Sequence, residues 1–306
     1  MKLFFVSDIH GSETCFRKLV NAGKFYGVDV LIMGGDLAGK ELVPIVDDKA
    51  RFRGSDFAFK NDGEVQDFER RVAAVGGYAL RTDEAFIDRL RSEPDLAEQT
   101  LRDLIVQRTE QWVELAHQRL EGTGISLLIG LGNDDFEELI PYLSEGPVTY
   151  AKDGTIDLGD FDLVSLGWSN PTPWHTNREC SEEELKDKLA DAINGADPAT
   201  TIFNIHVPPY DCGLDLVPRL DESLQIQLVG GQPDMVPVGS TAVAEAIAQH
   251  QPVLSLHGHV HQGRGSTRIG RTVVVNPGSE YDDASLLGAL IEVKPNKVKR
   301  CQLVAG

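Results

Sequence analysis

Short apolar runs recur along the chain, and the first six are each followed within a few residues by Asp, Asn, Trp or His. Such runs are typical of strands buried on both faces, and the helical patterns between them favour an α/β architecture. Because the carboxyl ends of parallel strands meet at one edge of a sheet, we expect the polar residues to converge there. Strands are predicted over residues 2–7, 30–34, 125–130, 163–168, 201–205, 253–256, 272–275 and 288–293.

The interval from Asp36 to Asn133 is longer than this alternation requires, since a βαβ unit needs only roughly 30 residues. We predict one domain over residues 1–306 with an inserted, cap-like subdomain over residues 40–122. Within the insertion, the pattern favours a hairpin over 41–59 around Gly54, a turn at 61–63, and helices over 64–75, 83–91 and 95–121. Outside it, capping residues predict helices over 12–22, 181–194 and 240–250.

The last predicted helix of the insertion carries an apolar stripe. We interpret this stripe as a surface that packs against the main sheet, and the alternative is a homodimer or cap surface. The stripe consists of Leu101, Leu104, Ile105, Trp112, Leu115 and Ala116.

Composition excludes several classes of protein. The net charge of −19 argues against binding an extended nucleic acid, which requires many Lys and Arg contacts to phosphate. No run approaches the ~18 apolar residues of a membrane-spanning helix, so no membrane partner is expected. The first residues form a strand pattern without a signal-peptide cleavage region, which predicts a cytoplasmic protein. The four cysteines lack paired spacing, which argues against a zinc ribbon or a disulfide framework.

Five short motifs follow predicted strands in a fixed order, and together they offer seven candidate metal ligands, namely Asp8, Asp36, Asn133 and four His. Carboxylate oxygen and neutral imidazole suit divalent Mn, Fe, Co, Ni or Zn, whereas the absence of sulfur argues against a structural zinc or iron–sulfur site. Seven ligands are too many for one such ion, so two divalent ions are predicted. The motifs are Asp8-Ile9-His10, Gly35-Asp36, Gly132-Asn133-Asp134-Asp135, the isolated His206, and Gly258-His259-Val260-His261.

The spacing within these motifs suggests how the ligands are presented. Residues two apart on an extended segment point the same way, so Asp8 and His10 are expected to share one side, and His259 and His261 to do the same. A carboxylate such as Asp36, placed between the two pairs, can bridge cations ~3.5–4 Å apart. That separation is the one used for in-line displacement at phosphorus.

The order of the motifs resembles the calcineurin-like metallophosphoesterase superfamily, whose pattern is Asp-x-His, Gly-Asp, Gly-Asn-His-Asp or Glu, a lone His, and Gly-His-x-His. The similarity runs from residue 3 to about residue 280. The segment Asn276-Pro277-Gly278-Ser279 and the two prolines after His206 further resemble the Icc-type or simple prokaryotic phosphodiesterase branch. The resemblance implies a four-layer α/β/β/α sandwich with a hairpin-plus-helices insertion.

The resemblance also implies roles for individual residues. A first metal would fall to Asp8, His10, Asp36 and His261, and a second to Asp36, Asn133, His206 and His259. The implied activity is hydrolysis of a small phosphoester by in-line attack of a bridging hydroxide, with Mn expected to support it in vitro. The contrasting hypothesis is a non-catalytic, metal-binding scaffold that uses the insertion for protein assembly. Among enzymes, the rival is a nuclease.

Asp134 departs from the family pattern, because the family usually has a His there that assists the leaving group. An Asp beside two cations should stay ionised, so it is a poor acid and repels a dianionic monoester more than a monoanionic diester. We therefore predict hydrolysis of phosphodiesters or of phosphoesters with good leaving groups. His10 is a further candidate to assist the leaving group. In the alternative interpretation, Asp134 turns away and caps a helix.

Three further residues are weaker candidates for substrate contacts. Trp174 and His175 leave a strand end and could line the pocket, although ordinary loop packing is the simpler interpretation. Arg264 could contact a phosphate oxygen, but a solvated surface arginine is the default.

Overall fold

The structure is a computed structural model that describes residues 1–221 and 223–306. Over these residues the strands are β1 Lys2–Val6, β2 Val30–Met33, β3 Leu42–Val46, β4 Lys49–Phe52, β5 Ser55–Ala58, β6 Tyr78–Thr82, β7 Ser126–Ile129, β8 Val148–Tyr150, β9 Gly154–Asp157, β10 Asp162–Leu166, β11 Thr201–Ile205, β12 Leu216–Pro218, β13 Leu228–Val229, β14 Gln232–Pro233, β15 Met235–Pro237, β16 Leu254–Leu256, β17 Gly265–Ile269, β18 Thr272–Asn276, β19 Leu287–Lys294 and β20 Lys297–Ala305. The α-helices are α1 Glu13–Tyr26, α2 Asp62–Ala74, α3 Glu84–Ser92, α4 Pro94–Leu120, α5 Glu182–Ile193 and α6 Thr241–His250, and two 3₁₀ turns cover Glu137–Tyr142 and Tyr281–Asp283.

Two six-stranded sheets form the body of the protein. The first has the order β20-β19-β1-β2-β7-β8, and the second has the order β17-β18-β16-β11-β10-β9. The central strands of each sheet run parallel, with β2 between β1 and β7, and β11 between β10 and β16. Parallel neighbours bring their carboxyl ends to one edge, as the sequence predicts.

Alternation along the buried strands explains why their sequences are apolar throughout. In β1, Leu3 and Phe5 join a cluster shared with the second sheet, whereas Phe4 and Val6 pack with α1 and α4. A third cluster joins the second sheet to α5 and α6. The predicted α/β sandwich is confirmed, and the three clusters are consistent with helix, sheet, sheet and helix layers.

Capping residues place the helices close to where the sequence predicts them. Ser12 accepts a hydrogen bond from the Cys15 amide at the start of α1, which ends at Gly27 with φ of 58°. At α5, Ser181 and Glu184 form the predicted capping box. No helix among the described residues is both long enough and apolar enough to cross a membrane.

The insertion contains more strand than the sequence predicts. The hairpin around Gly54 forms between β4 and β5, but β3 and β6 complete a four-stranded sheet with the order β5-β4-β3-β6. The predicted turn at residues 61–63 is wrong, because Asn61 caps α2 by accepting a hydrogen bond from the Glu64 amide. A cap residue and a turn residue share the same side-chain chemistry, so this pattern does not separate them.

Helix α4 packs differently from the rest of residues 40–122. Its Trp112 stacks on Phe16 of α1, with ring centroids 4.4 Å apart and planes 4° from parallel. Ile105, Val113 and Ala116 join the same cluster as the first sheet. The apolar stripe therefore packs against the main sheet and α1, as interpreted from the sequence. The 40–122 subdomain boundary itself stays a prediction.

Candidate metal centre

The predicted metal ligands converge at the carboxyl edges of the two sheets. Asp8 follows β1, Asp36 follows β2 and Asn133 follows β7 in the first sheet, while His206 follows β11 in the second. His259 and His261 lie on the segment after β16. Five of the seven are almost fully buried, with exposed fractions of 3% or less, and the two histidines after β16 are partly exposed.

A first group of ligand atoms consists of Asp8, His10 and His261, whose donor atoms lie within 4.8 Å of one another. The Nε2 atoms of His10 and His261 are 3.1 Å apart, and His261 Nε2 lies 3.6 Å from Asp8 Oδ1. Two imidazole nitrogens that face each other at this distance need a shared proton or a cation between them, because their lone pairs repel. The arrangement fits a divalent ion.

A second group consists of Asp36, His206 and His259. The amide oxygen of Asn133 lies 2.7 Å from His259 Nδ1 and 3.0 Å from His206 Nε2, so it faces the same point. One carboxylate oxygen of Asp36 is 3.4 Å from His206 Nε2, and the other is 3.6 Å from His10 Nε2. Asp36 therefore faces both groups, as expected of a bridging ligand.

The backbone at these ligands is not extended, which corrects the geometric argument made from spacing. Asp8, His10, Asp36 and His259 all have left-handed φ values, of 56°, 38°, 54° and 65°. Asp8 and His10 still reach one group, but His259 and His261 separate into the two groups. Their separation follows from the left-handed turn at His259, which ends the alternation of side chains.

Glycines beside the ligands leave no room for a side chain. A Cβ atom on Gly132 would overlap the Asp36 carboxylate, and one on Gly258 would overlap the Asp8 carboxylate. The His259 amide donates hydrogen bonds to both carboxylate oxygens of Asp8, at 2.9 and 3.1 Å. The glycines thus allow backbone and carboxylate to approach closely.

Burial keeps two of the four site imidazoles, those of His10 and His259, in the neutral form that binds metals. Burial and the charge of His261 lower the pKa of His10 to about 3, and burial and the charge of His206 lower that of His259 to about 4. Burial raises the pKa of Asp8, but its hydrogen bond with His261 and the charges of His206 and His261 hold that pKa well below its usual value. Neutral imidazoles beside an ionised carboxylate form a suitable donor set.

The Asp36 carboxylate and the His206 imidazole lie against each other, 3.4 Å apart. Burial raises the pKa of Asp36 to about 7, against the opposing charge of His206. Burial lowers the pKa of His206, but the charge of Asp36 and its hydrogen bond outweigh burial and raise that pKa to about 9. His206 therefore holds a proton that a bound cation would displace.

Asp135 positions the ligand loops, a role that the motif pattern does not predict. Its buried carboxylate accepts hydrogen bonds from the backbone amides of Leu37, Ala38 and Gly132, at 3.0, 2.8 and 2.8 Å. These amides flank Asp36 and Asn133, so one side chain joins the loops that follow β2 and β7. The signal in the sequence is the adjacent pair of Asp residues after Asn133.

Two further side chains orient ligands. The Thr176 hydroxyl accepts a hydrogen bond from Asn133 Nδ2 at 2.7 Å and donates one to Glu179, which leaves the Asn133 oxygen facing the histidines. His257 continues the alternating histidines of residues 257–261 but points into the core, where its ring contacts the carbonyls of Ile205 and Val207 at 2.8 and 3.0 Å. His257 thus braces the segment that carries His206.

Asp134 faces the site, so the helix-capping alternative is wrong. Its carboxylate lies 3.9 Å from His10 Nδ1 and forms an ion pair with Lys40. Burial raises the pKa of Asp134, but the neighbouring His10 and Lys40 lower it below its ordinary value. The following 3₁₀ turn has no side-chain cap.

The rim of the site comes from three segments. The Tyr281 ring packs on His10, with centroids 4.8 Å apart, and Arg53 of the insertion donates a hydrogen bond to the adjacent Asp282 carbonyl at 2.7 Å. Trp174 and His175 are exposed, and their place in a pocket wall stays a prediction. Arg264 donates to the Val304 carbonyl and is exposed, as the surface interpretation expects.

Comparison with known sequences finds a relative that matches part of the chain. A search against models of known protein families finds no match. An uncharacterized protein of Methanocaldococcus jannaschii, MJ1162, is 31% identical over 149 residues. The match covers 48% of this chain and 61% of MJ1162.

Solved structures align over almost the whole chain. The crystal structure of TT1561 from Thermus thermophilus covers 100% of this chain and 97% of its own, with 13% identity and a TM-score of 0.53. A structure described as a novel archaeal phosphodiesterase covers 100% of both chains, with 11% identity and a TM-score of 0.35. The match to TT1561 shows a shared overall fold.

Proposed function

We propose that this protein is a phosphoesterase that uses two divalent metal ions. The observation that carries the proposal is the position of Asp36, whose two oxygens face separate groups of buried imidazoles, 3.4 Å from His206 and 3.6 Å from His10. A bridging carboxylate between two nitrogen-rich groups is the arrangement that two-metal hydrolases use. Asp8, His10 and His261 would hold one ion, and Asn133, His206 and His259 the other.

When bound, two cations supply a hydroxide nucleophile and polarise the non-bridging oxygens of a phosphoryl group. The protein's own residues hold these components in place. Asp36 fixes the distance between the two groups, and Asp135 ties together the loops that carry Asp36 and Asn133. Asn133 presents its oxygen because Thr176 accepts a hydrogen bond from its amide nitrogen. Such prior positioning lowers the entropic cost of reaching the transition state.

The chemistry around Asp134 supports a substrate with a good leaving group. Asp134 is an ionised acceptor beside His10, so it offers no proton to the departing oxygen. His10 is a proposed ligand and faces His261, so it is not free to donate either. The proposed substrates are therefore phosphodiesters, which an ionised Asp134 repels less than dianionic monoesters, and phosphoesters with good leaving groups such as aryl esters, which need little protonation.

Hydrolysis of bis(p-nitrophenyl) phosphate with added Mn²⁺ tests the proposal. We expect nitrophenol release above the metal-only blank and close to two metal ions per chain after reconstitution. A non-catalytic scaffold would bind metal without releasing nitrophenol, which would contradict the proposed activity. Metal analysis that finds one ion or none would contradict the two-metal site.

A further inference from the structure

Lys40 is the first residue of the predicted insertion, and its ammonium group pairs with Asp134 at the mouth of the metal centre. The Asp134 side chain is 11% exposed, whereas that of Lys40 is 60% exposed. Lys40 therefore approaches the buried carboxylate from the solvent side, which is also the side from which a substrate must enter.

The backbone that carries Lys40 is tightly placed. A Cβ atom on the preceding Gly39 would overlap the carbonyl of Gly76 and crowd that of His10, and the Gly39 amide donates to the Tyr78 hydroxyl at 3.3 Å. The long side chain of Lys40 thus starts from a fixed point beside a ligand loop, and its charged end lies on the solvent side of Asp134.

The ion pair with Asp134 is one that a substrate can replace. An ion pair with an exposed partner contributes little free energy, because solvent screens it and both side chains lose conformational freedom. A phosphate oxygen offers a lysine a charge-assisted hydrogen bond at least as strong as a carboxylate does. Burial lowers the pKa of Lys40, but the Asp134 carboxylate outweighs burial and raises it, so the ammonium form is retained.

We propose that Lys40 is a specificity-determining residue that leaves Asp134 and binds the peripheral oxygens of a dianionic phosphate. This inference rests on the proposed function and concerns the dianionic aryl phosphomonoesters within its substrate class. Asp134 alone would repel a dianion more than a monoanion, and the Lys40 charge offsets that repulsion.

The kinetic test compares Lys40→Met with the wild type on p-nitrophenyl phosphate and bis(p-nitrophenyl) phosphate. The ratio of monoester to diester kcat/KM is expected to fall about 10-fold, since a hydrogen bond to a charged group is lost. Lys40→Arg keeps the charge and should restore most of the ratio. The matched control is Lys186→Met, because Lys186 is also 60% exposed and pairs with Glu245 far from the site. That control should leave the ratio unchanged.

An equilibrium test separates direct contact with phosphate from mere neutralisation of Asp134. Inorganic phosphate is titrated into the metal-loaded Asp134→Asn protein and the Asp134→Asn, Lys40→Met double variant by calorimetry. Direct contact predicts a phosphate Kd about 10-fold weaker in the double variant, with dimethyl phosphate changed far less. Equal phosphate Kd values in the two proteins would overturn the proposal.

The two proposals fail in different ways. Wild-type protein that binds two metals yet hydrolyses neither ester would contradict the proposed function. The phosphate titrations test Lys40 whether or not turnover is seen. Turnover with an unchanged monoester-to-diester ratio in Lys40→Met would overturn the role of Lys40 alone.

Discussion

The metal centre and the insertion are held in place by different means. Each proposed ligand lies just beyond a buried strand, and backbone hydrogen bonds join the loops, as from the Asp8 amide to the Gly35 carbonyl and from the His10 amide to the Asp36 carbonyl. The insertion relies on its own small cluster, in which Phe68 is central, and α3 buries only Ile87. The sandwich therefore supplies the proposed metal ligands, while the insertion supplies residues at the rim of the site.

Residues 40–122 divide into two parts according to the hydrophobic cluster into which each element packs. Helix α4 shares its core with α1 and the first sheet, whereas the buried residues of β3, β4 and α2 form a separate cluster, and Tyr78 of β6 packs with the first. Lys40 and Arg53 reach the rim from the second part. We therefore expect the largest effects from substitution of metal ligands in the sandwich. The smallest effects are expected from substitution of residues that only position those ligands.

Replacing Asp36 by Ala should have the largest effect. It removes the carboxylate whose two oxygens face separate ligand groups, so hydrolysis and the occupancy of both metals should be lost. We expect a loss in activity beyond the roughly 10–100-fold typical of outer partners of metal ligands. Metal analysis and the diesterase assay measure it, and near-normal metal content would contradict the bridging role.

Matched aromatic substitutions test the division of residues 40–122. Trp112 and Phe68 are 2% and 4% exposed, and each lies in one of the two clusters. Trp112→Ala should destabilise the whole protein by about 3–5 kcal/mol. Phe68→Ala should loosen only the insertion, seen as faster proteolysis there, while two metals stay bound. Loss of metal from Phe68→Ala would mean that the insertion and the sandwich form one unit.

Asp135→Asn should have a smaller effect, confined to metal affinity. The amide keeps one acceptor oxygen but presents an N–H group to backbone amides that need acceptors. We expect metal affinity to fall roughly 10-fold, with the folded state retained. Competition with a chelator measures this change, and unchanged affinity would show that the loops hold without Asp135.

Sequence patterns predict the sandwich well because the two faces of each central strand pack into different hydrophobic clusters. A strand such as β1 must be apolar on both faces, and its end is marked by Ser7 and Asp8. No sequence pattern predicts strand β20, since many of its residues are exposed and it lies at the edge of its sheet, paired with β19. Its pairing depends on a neighbouring strand rather than on an apolar run of its own.

The metal ligands are also predictable, because they follow buried strands. The residues that position or contact those ligands are not. Polar side chains after buried strands are conspicuous in the sequence, whereas the role of Lys40 depends on Asp134, which is distant along the chain. Asp134 and Asp135 are adjacent and chemically identical, yet one faces the cleft and the other binds backbone amides. The course of the backbone after β7 determines which of the two side chains faces the cleft. The local sequence does not reveal that course.

The left-handed corners at Asp8, His10, Asp36 and His259 bear on how this site could be rebuilt elsewhere. Non-glycine residues in this region carry strain of roughly 1–3 kcal/mol each, which the surrounding loops must absorb. A designer who transferred only the ligating side chains to another sheet would place them on extended backbone, where His259 and His261 would share one face. What has to be transplanted is a set of bent loops with their glycines, and the side chains come with them.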